Sequence, residues 1–192
     1  NSFTAFVVAK VTDHGVAPSI FFEGRGSGHL GPTFFLEHRN SNQTSDQSSG
    51  KTLAAQVNTP NGVAGYNSPA ESSTQAPFPL DLEDGTTRIH VTVFDRNDDG
   101  DGTGAYFGVN APATFQGVKD DGVTSSIPLG NGDSDGTFQI GFGQGQSLPG
   151  MIGDIVLYDR ELSNAEQVQL GNFLASKYGI SFVPEPGSLM MI

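Results

Sequence analysis

From Asp95 to Gly104 the chain reads DRNDDGDGTG, which sets the oxygens of Asp95, Asn97, Asp99 and Asp101 on alternate positions around glycines. Calcium takes about six to eight hard oxygen ligands, and Asp95, Asn97, Asp99 and Gly100 match the D-x-[DN]-x-[DN]-G opening of a calcium loop. The match then fails. Tyr106 stands where the closing bidentate glutamate belongs, and a strand rather than a helix leads in, so the segment is not an EF-hand. Other oxygens would complete the shell, among them Asp133 and Asp135 of the turn Asn131 to Gly136 if the fold brings that turn alongside. Two readings stay open: a calcium site, and an Asp/Gly hairpin turn that is acidic for solubility.

Catalytic motifs find little support. His14, His29, His38 and His90 are scattered and H-E-x-x-H does not occur, while the one G-x-S-x-G spacing, Gly132 to Gly136, sits in the turn Asn131 to Gly136 with a predicted strand after it rather than the helix of a nucleophile elbow. His90 reads as a solvent-facing strand residue. Glycoside hydrolysis needs two carboxylates flanking the bond, and no Glu here is followed by Asp two positions on, the spacing by which sandwich-fold glucanases place both on one strand face. The glycines around Arg25 lack a phosphate-loop lysine and a following helix, and read as a turn. Sugars stack on exposed rings. With no Trp and four Tyr, that mode is poorly supplied; Tyr66, in a polar loop, is the one candidate ring, with incidental exposure as the other reading.

A net charge of −12 argues against nucleic acid and anionic membranes as partners, and favours divalent cations and neutral ligands. The absence of Cys excludes disulfides, thiolate-bound zinc and thiol catalysis without fixing a compartment. No apolar run approaches the roughly 20 residues that span a bilayer. The chain enters a strand almost at once from Asn1, with no initiator Met, and is expected to be a clipped fragment.

The elements that would position these groups are strands. Phenylalanine is abundant, but 26 Gly and 11 Pro keep the apolar runs short. Phe3, Ala5, Val7, Ala9 and Val11 alternate with a second, partly apolar set, as in an interior strand. Further strands are predicted at Ile20 to Glu23, Phe34 to Arg39, Leu53 to Val57, Arg88 to Asp95, Ala105 to Asn110, Thr137 to Phe142 and Ile152 to Asp159. Arg88 to Asp95 alternates cleanly enough to be half-buried. Asn40 to Gly50 and Thr59 to Pro79 read as surface loops. Ser163 and Glu166 match a capping box that opens a helix stopped by Gly179, with Leu170, Phe173, Leu174 and Tyr178 as its docking face and Val168 and Ala175 off it. The expected fold is all-β, a two-sheet antiparallel jelly-roll sandwich with one short C-terminal surface helix.

The block PGMIGDIVLYDRELSNAEQVQLGNFLASKYGI, Pro149 to Ile180, resembles the closing strand and helix of laminin-G-like domains in the concanavalin A-like lectin/glucanase superfamily. Gly153, Ile155, Tyr158, Asp159, Arg160, Leu162, Ser163, Glu166, Lys177, Tyr178 and Gly179 carry the likeness, and FTAFVVAKVT, RIHVTVFD and FQIGFGQ extend it upstream. The resemblance implies a concanavalin A-like sandwich over residues 1–182 that lacks its first strands, and binding of a ligand or glycan, often at a calcium-bearing rim. Val183, Pro184, Glu185 and Pro186, with the apolar residues Leu189 to Ile192 beyond, resemble the start of a PEP-CTERM sorting signal, so residues 183–192 are expected to be a truncated sorting tail. That resemblance implies export in a Gram-negative-type bacterium, recognition by an exosortase-type sorting enzyme, and delivery to the cell envelope, cell surface or extracellular matrix. Membrane contact would come only through the missing C-terminal helix.

The leading expectation is a non-catalytic exported binding domain for polysaccharide or another matrix glycan, assisted by Ca2+. The alternatives are a glycoside hydrolase or lyase of the same fold whose catalytic strand is lost, and a structural matrix protein with no specific ligand.

Overall fold

The computed structural model describes residues 2–12, 19–25, 32–39, 52–59, 62–67, 84–95, 104–116, 118–119, 137–143 and 146–182, with side chains for 2–12, 84–94, 105–114, 140–141 and 148–182. Its strands are β1 (Phe3–Thr12), β2 (Ser19–Arg25), β3 (Pro32–Arg39), β4 (Thr52–Thr59), β5 (Gly62–Asn67), β6 (Asp84–Asp95) and β7 (Gly104–Val109). After these come the short β8 (Phe115–Gln116) and β9 (Val118–Lys119), then β10 (Thr137–Ile140), β11 (Phe142–Gly143), β12 (Gln146–Ser147) and β13 (Gly150–Tyr158). One helix, α1 (Asn164–Tyr178), closes the described chain. All eight strands expected from the alternation are present, and every described pairing is antiparallel. No helix among the described residues is long and apolar enough to cross a membrane.

The strands form a five-stranded sheet in the order β13-β1-β6-β7-β8, a six-stranded sheet in the order β10-β2-β3-β4-β5-β9, and the small pair β11-β12. In the first sheet β1 lies between β13 and β6, and its residues Thr4 to Ala9 are all buried. One face gathers Ala5, Val7, Ala9, Val11, Phe94, Ala105 and Phe107, with Phe3 stacked on Phe94 at 5.5 Å between ring centroids. The opposite face gathers Phe6, Val8, Ile89, Val91 and Val93, and on it sit Leu174 and Ala175 of α1 together with Phe182.

Burial on both faces overturns the half-buried reading of β6. Arg88, His90 and Thr92 alternate with Ile89, Val91 and Val93, yet His90 is 1% exposed, not solvent-facing. The cross-strand partners explain this: Arg88, His90 and Thr92 sit opposite Ala9, Val7 and Ala5, inside the apolar face of β1. Polar types at alternate strand positions signal solvent, whereas here the polar row is carried into the core. The Thr92 Oγ1 has no hydrogen-bond partner there among the described residues.

Tyr66 is the second difference. It lies in β5, within the stretch read as a loop, and pairs with Ala55 on β4 and Lys119 on β9. The pairing Thr59↔Gly62 leaves two residues, Pro60 and Asn61, between β4 and β5, and the turn-forming run Pro60-Asn61-Gly62 is the signal that could have revealed a connection between two strands there. Low apolar content in Gly62 to Asn67 hid a strand that tertiary pairing stabilises. Asn40 to Gly50 lies outside the described residues.

Candidate functional site

A connected set of polar contacts lies where β13 runs into α1. Ser163 caps the helix as expected: its Oγ accepts from the Glu166 N–H at 3.4 Å, and the Glu166 carboxylate accepts from the Ser163 N–H at 2.9 Å. Arg160 closes the same carboxylate with two bonds, 2.6 and 3.1 Å, while its guanidinium lies 5.9 Å from the centre of the Tyr158 ring. Thr4, fully buried, fixes the connection by donating to the Arg160 carbonyl and accepting from the Leu162 N–H, both at 2.9 Å. At the far end of the helix Lys177 donates to both Asp154 oxygens, and the Tyr178 hydroxyl donates to one of them at 2.9 Å. Gly179 ends the helix in the left-handed region, its N–H on the Ala175 carbonyl.

Two glycines set how closely this strap docks. A Cβ at Gly153 would stand 2.5 Å from the Tyr178 hydroxyl, and one at Gly171 would meet the Phe182 ring, so both positions need the missing side chain. Gly171 also turns the helix. Its buried stripe is Gln167, Gly171, Leu174 and Ala175, which brings in Ala175 and leaves Phe173 66% exposed, contrary to the docking face expected from apolar residues alone. Gln167 lies outside the apolar docking face expected of the helix, yet its amide accepts from the Ala113 N–H and donates to the Leu162 carbonyl, tying β7's exit to the helix. A buried polar side chain on an otherwise apolar stripe was the available signal.

The electrostatics are those of paired surface charges. Arg160, with help from Ser163, holds the Glu166 carboxyl down at about 2, and Lys177 lowers Asp154 against the opposing effect of burial. Lys177 is raised in return, and burial, reinforced by Asp154, raises the Tyr178 phenol. A raised phenol is the opposite of an activated base. Asp154 and Glu166 have folded values below their unfolded ones, so their pairs stabilise the fold above about pH 4.5 and are lost as pH falls toward the folded values. The melting temperature is therefore expected to drop between about pH 4.5 and 2, and Glu166→Gln is expected to flatten that slope in a thermal melt series.

Tyr158, Arg160, Glu166, Gln169, Leu170 and Phe173 line an open groove of about 380 Å³ beside the strap. Across the same sheet, β6 and β7 form a hairpin whose last pair is Asp95↔Gly104. This gives the acidic segment an antiparallel stem and leaves Asn97, Asp99 and Asp101 in the connection, outside the described residues. Asp133 and Asp135 of the neighbouring turn, and the tail residues Val183, Pro184, Glu185 and Pro186, also lie outside them. Among the described residues no three His, Asp or Glu gather as a metal-holding group.

The six-stranded sheet adds an arrangement that no linear motif reveals. Its register sets Gln139, Glu23, Phe35 and Gln56 in one cross-strand row over β10, β2, β3 and β4. Glu37 follows Phe35 two residues along β3, on the same face by strand alternation. The adjacent row, Ile140, Phe22, Leu36, Ala55 and Tyr66, belongs to the other face. Tyr66 therefore shares a face with apolar residues, apart from the polar row. No model of a known protein family matches the chain, and no curated protein matches it either.

Proposed function

We propose that this chain is a non-catalytic exported domain that binds extracellular glycan with the help of calcium. The row Gln139, Glu23, Phe35 and Gln56 carries the reading. Amide and carboxylate side chains match the paired hydroxyls of a sugar, and an aromatic ring among them matches its apolar face. The acidic hairpin supplies a second element: Asp95, Asn97, Asp99 and Asp101 are hard oxygen donors of the kind calcium takes, on a loop whose stem is paired at Asp95↔Gly104. Export and delivery to the envelope or matrix would follow from Val183-Pro184-Glu185-Pro186 acting as a sorting signal for an exosortase-type enzyme.

A jelly-roll sandwich of the concanavalin A-like, laminin-G-like type is the architecture we infer. Both faces of the five-stranded sheet are buried, and α1 accounts for one of them. The alternation that puts Phe22, Phe34, Leu36, Leu53 and Val57 on one face of the six-stranded sheet supplies a matching apolar layer.

Affinity electrophoresis through gels of soluble polysaccharides, in millimolar calcium and in chelator, tests the function. Retardation that depends on calcium is expected. Calcium at 100 times its Kd should add about 2.7 kcal/mol of stability, a rise in Tm of about 5–10 °C for a domain of this size. Absence of both calorimetric heat and a Tm shift would remove calcium, and absence of retention on every gel would leave a matrix protein without a specific ligand. One observation favours a second reading. Glu23 on β2 and Glu37 on β3 share one face of two paired strands, a placement compatible with two carboxylates that flank a glycosidic bond. Release of reducing ends from the same polysaccharides, abolished by Glu23→Gln, would establish hydrolysis instead of simple binding.

A further inference from the structure

We propose that the groove between the β13–α1 connection and the outer stripe of α1 is a subsite for one neutral sugar residue; the proposal rests on the glycan-binding reading above. Glu166, Gln169, Leu170 and Phe173 follow one another at helical spacing along this stripe, and Tyr158 and Arg160 face it across the groove. Phe173 presents its ring to solvent on this stripe. It is 66% exposed, while the helix docks through Gln167, Gly171, Leu174 and Ala175, so its ring contributes little to packing.

Charge selects the class of ligand. Arg160 and Glu166 neutralise each other through two hydrogen bonds, so the groove offers neither an unpaired cation to an acid nor an unpaired carboxylate to a base. A chain with net charge −12 also repels anions at long range. A neutral molecule with an apolar face and several hydroxyls fits what remains: the ring of Phe173 for stacking, and the Gln169 amide for hydrogen bonds. The volume of about 380 Å³ falls at the small end of ligand clefts, which suits a sugar residue rather than a folded partner.

Position supplies an independent reason. Tyr158 pairs with Thr4, Thr4 with Val93, and Asp95 lies two residues beyond Val93 on β6. Two strand spacings across and two residues along separate Tyr158 from Asp95 by about 12 Å. The groove and the end of β6 at Asp95 thus share one end of the sheet, within the span of a short oligosaccharide.

The test is affinity electrophoresis in millimolar calcium through galactomannan, xyloglucan and mixed-linkage β-glucan, with alginate as the anionic control. Wild type is expected to be retained by at least one neutral polymer and not by alginate. Phe173→Ala should weaken that retention about threefold to tenfold, the worth of one aromatic contact. Phe173→Trp should preserve it, Gln169→Ala should weaken it, and all three variants should melt with wild type because both side chains are exposed. If Phe173→Ala and Gln169→Ala migrate as wild type while Asp99→Asn loses retention, the groove proposal falls and the calcium-assisted reading survives. Retention by no polymer overturns both, and retention by alginate alone overturns the neutral-sugar assignment.

Discussion

Phe6→Ala is expected to destabilise the protein by about 3–5 kcal/mol, the usual cost of emptying a buried phenylalanine site. Phe6 is fully buried at the centre of the helix-side cluster, 6.4 Å from the Phe182 ring and among Val8, Ile89 and Val91 of the sheet. The surroundings cannot collapse into the space easily, because the strand pairs hold the floor and Gly171 holds Phe182 against the helix. At about 2–4 °C per kcal/mol for a domain of this size, Tm should fall by about 6–20 °C. A local readout separates this from a general loss: the α1 amides should lose hydrogen-exchange protection beyond the global change. Phe94→Ala should cost a similar amount while sparing the helix, since Phe94 packs on the opposite face against Phe3 and Phe107. Equal loss of α1 protection in both variants would show that the helix does not depend on Phe6 in particular.

The helix and its site were legible in unequal parts. A capping box and a terminal glycine are local signals, and they placed both ends of α1 correctly. Its rotation was not local. Phe173 counted as apolar and Gly171 as nothing, yet the close approach of Phe182 over Gly171 decides which stripe is buried. The same limit explains β6: alternation gave the two faces of Arg88, Ile89, His90 and Val91, but only the apolar partners on β1 reveal that both are covered. The row Gln139, Glu23, Phe35 and Gln56 draws on four strands separated by long connections. A linear search for paired carboxylates on one strand could not meet it. Asp95 was identified by spacing, and what the fold adds is the paired stem at Gly104.

Among the charged groups, the largest effect is expected at Asp84. It accepts from both guanidinium nitrogens of Arg88, at 2.7 and 2.8 Å, and from the Thr86 N–H at 2.8 Å. The two partners are unequally placed, with Asp84 38% exposed at its side chain and Arg88 only 5%. Removing the carboxylate strands a buried cation, whereas removing the cation returns a carboxylate to water. Asp84→Ala is therefore expected to cost about 2 kcal/mol, less than the roughly 3–5 kcal/mol of a wholly buried pair because solvent reaches this one. Arg88→Met, which keeps the apolar stem and deletes the charge, should cost under about 1 kcal/mol. Denaturant melts of the two variants and the double variant give the coupling directly. The guanidinium holds the Asp84 carboxyl far below the usual carboxylate range, so the pair stabilises above the unfolded value and weakens as pH falls. The deficit of Asp84→Ala should accordingly narrow below about pH 4. A larger loss from Arg88→Met than from Asp84→Ala would mean that the guanidinium itself, rather than its neutralisation by Asp84, supports this face of β6.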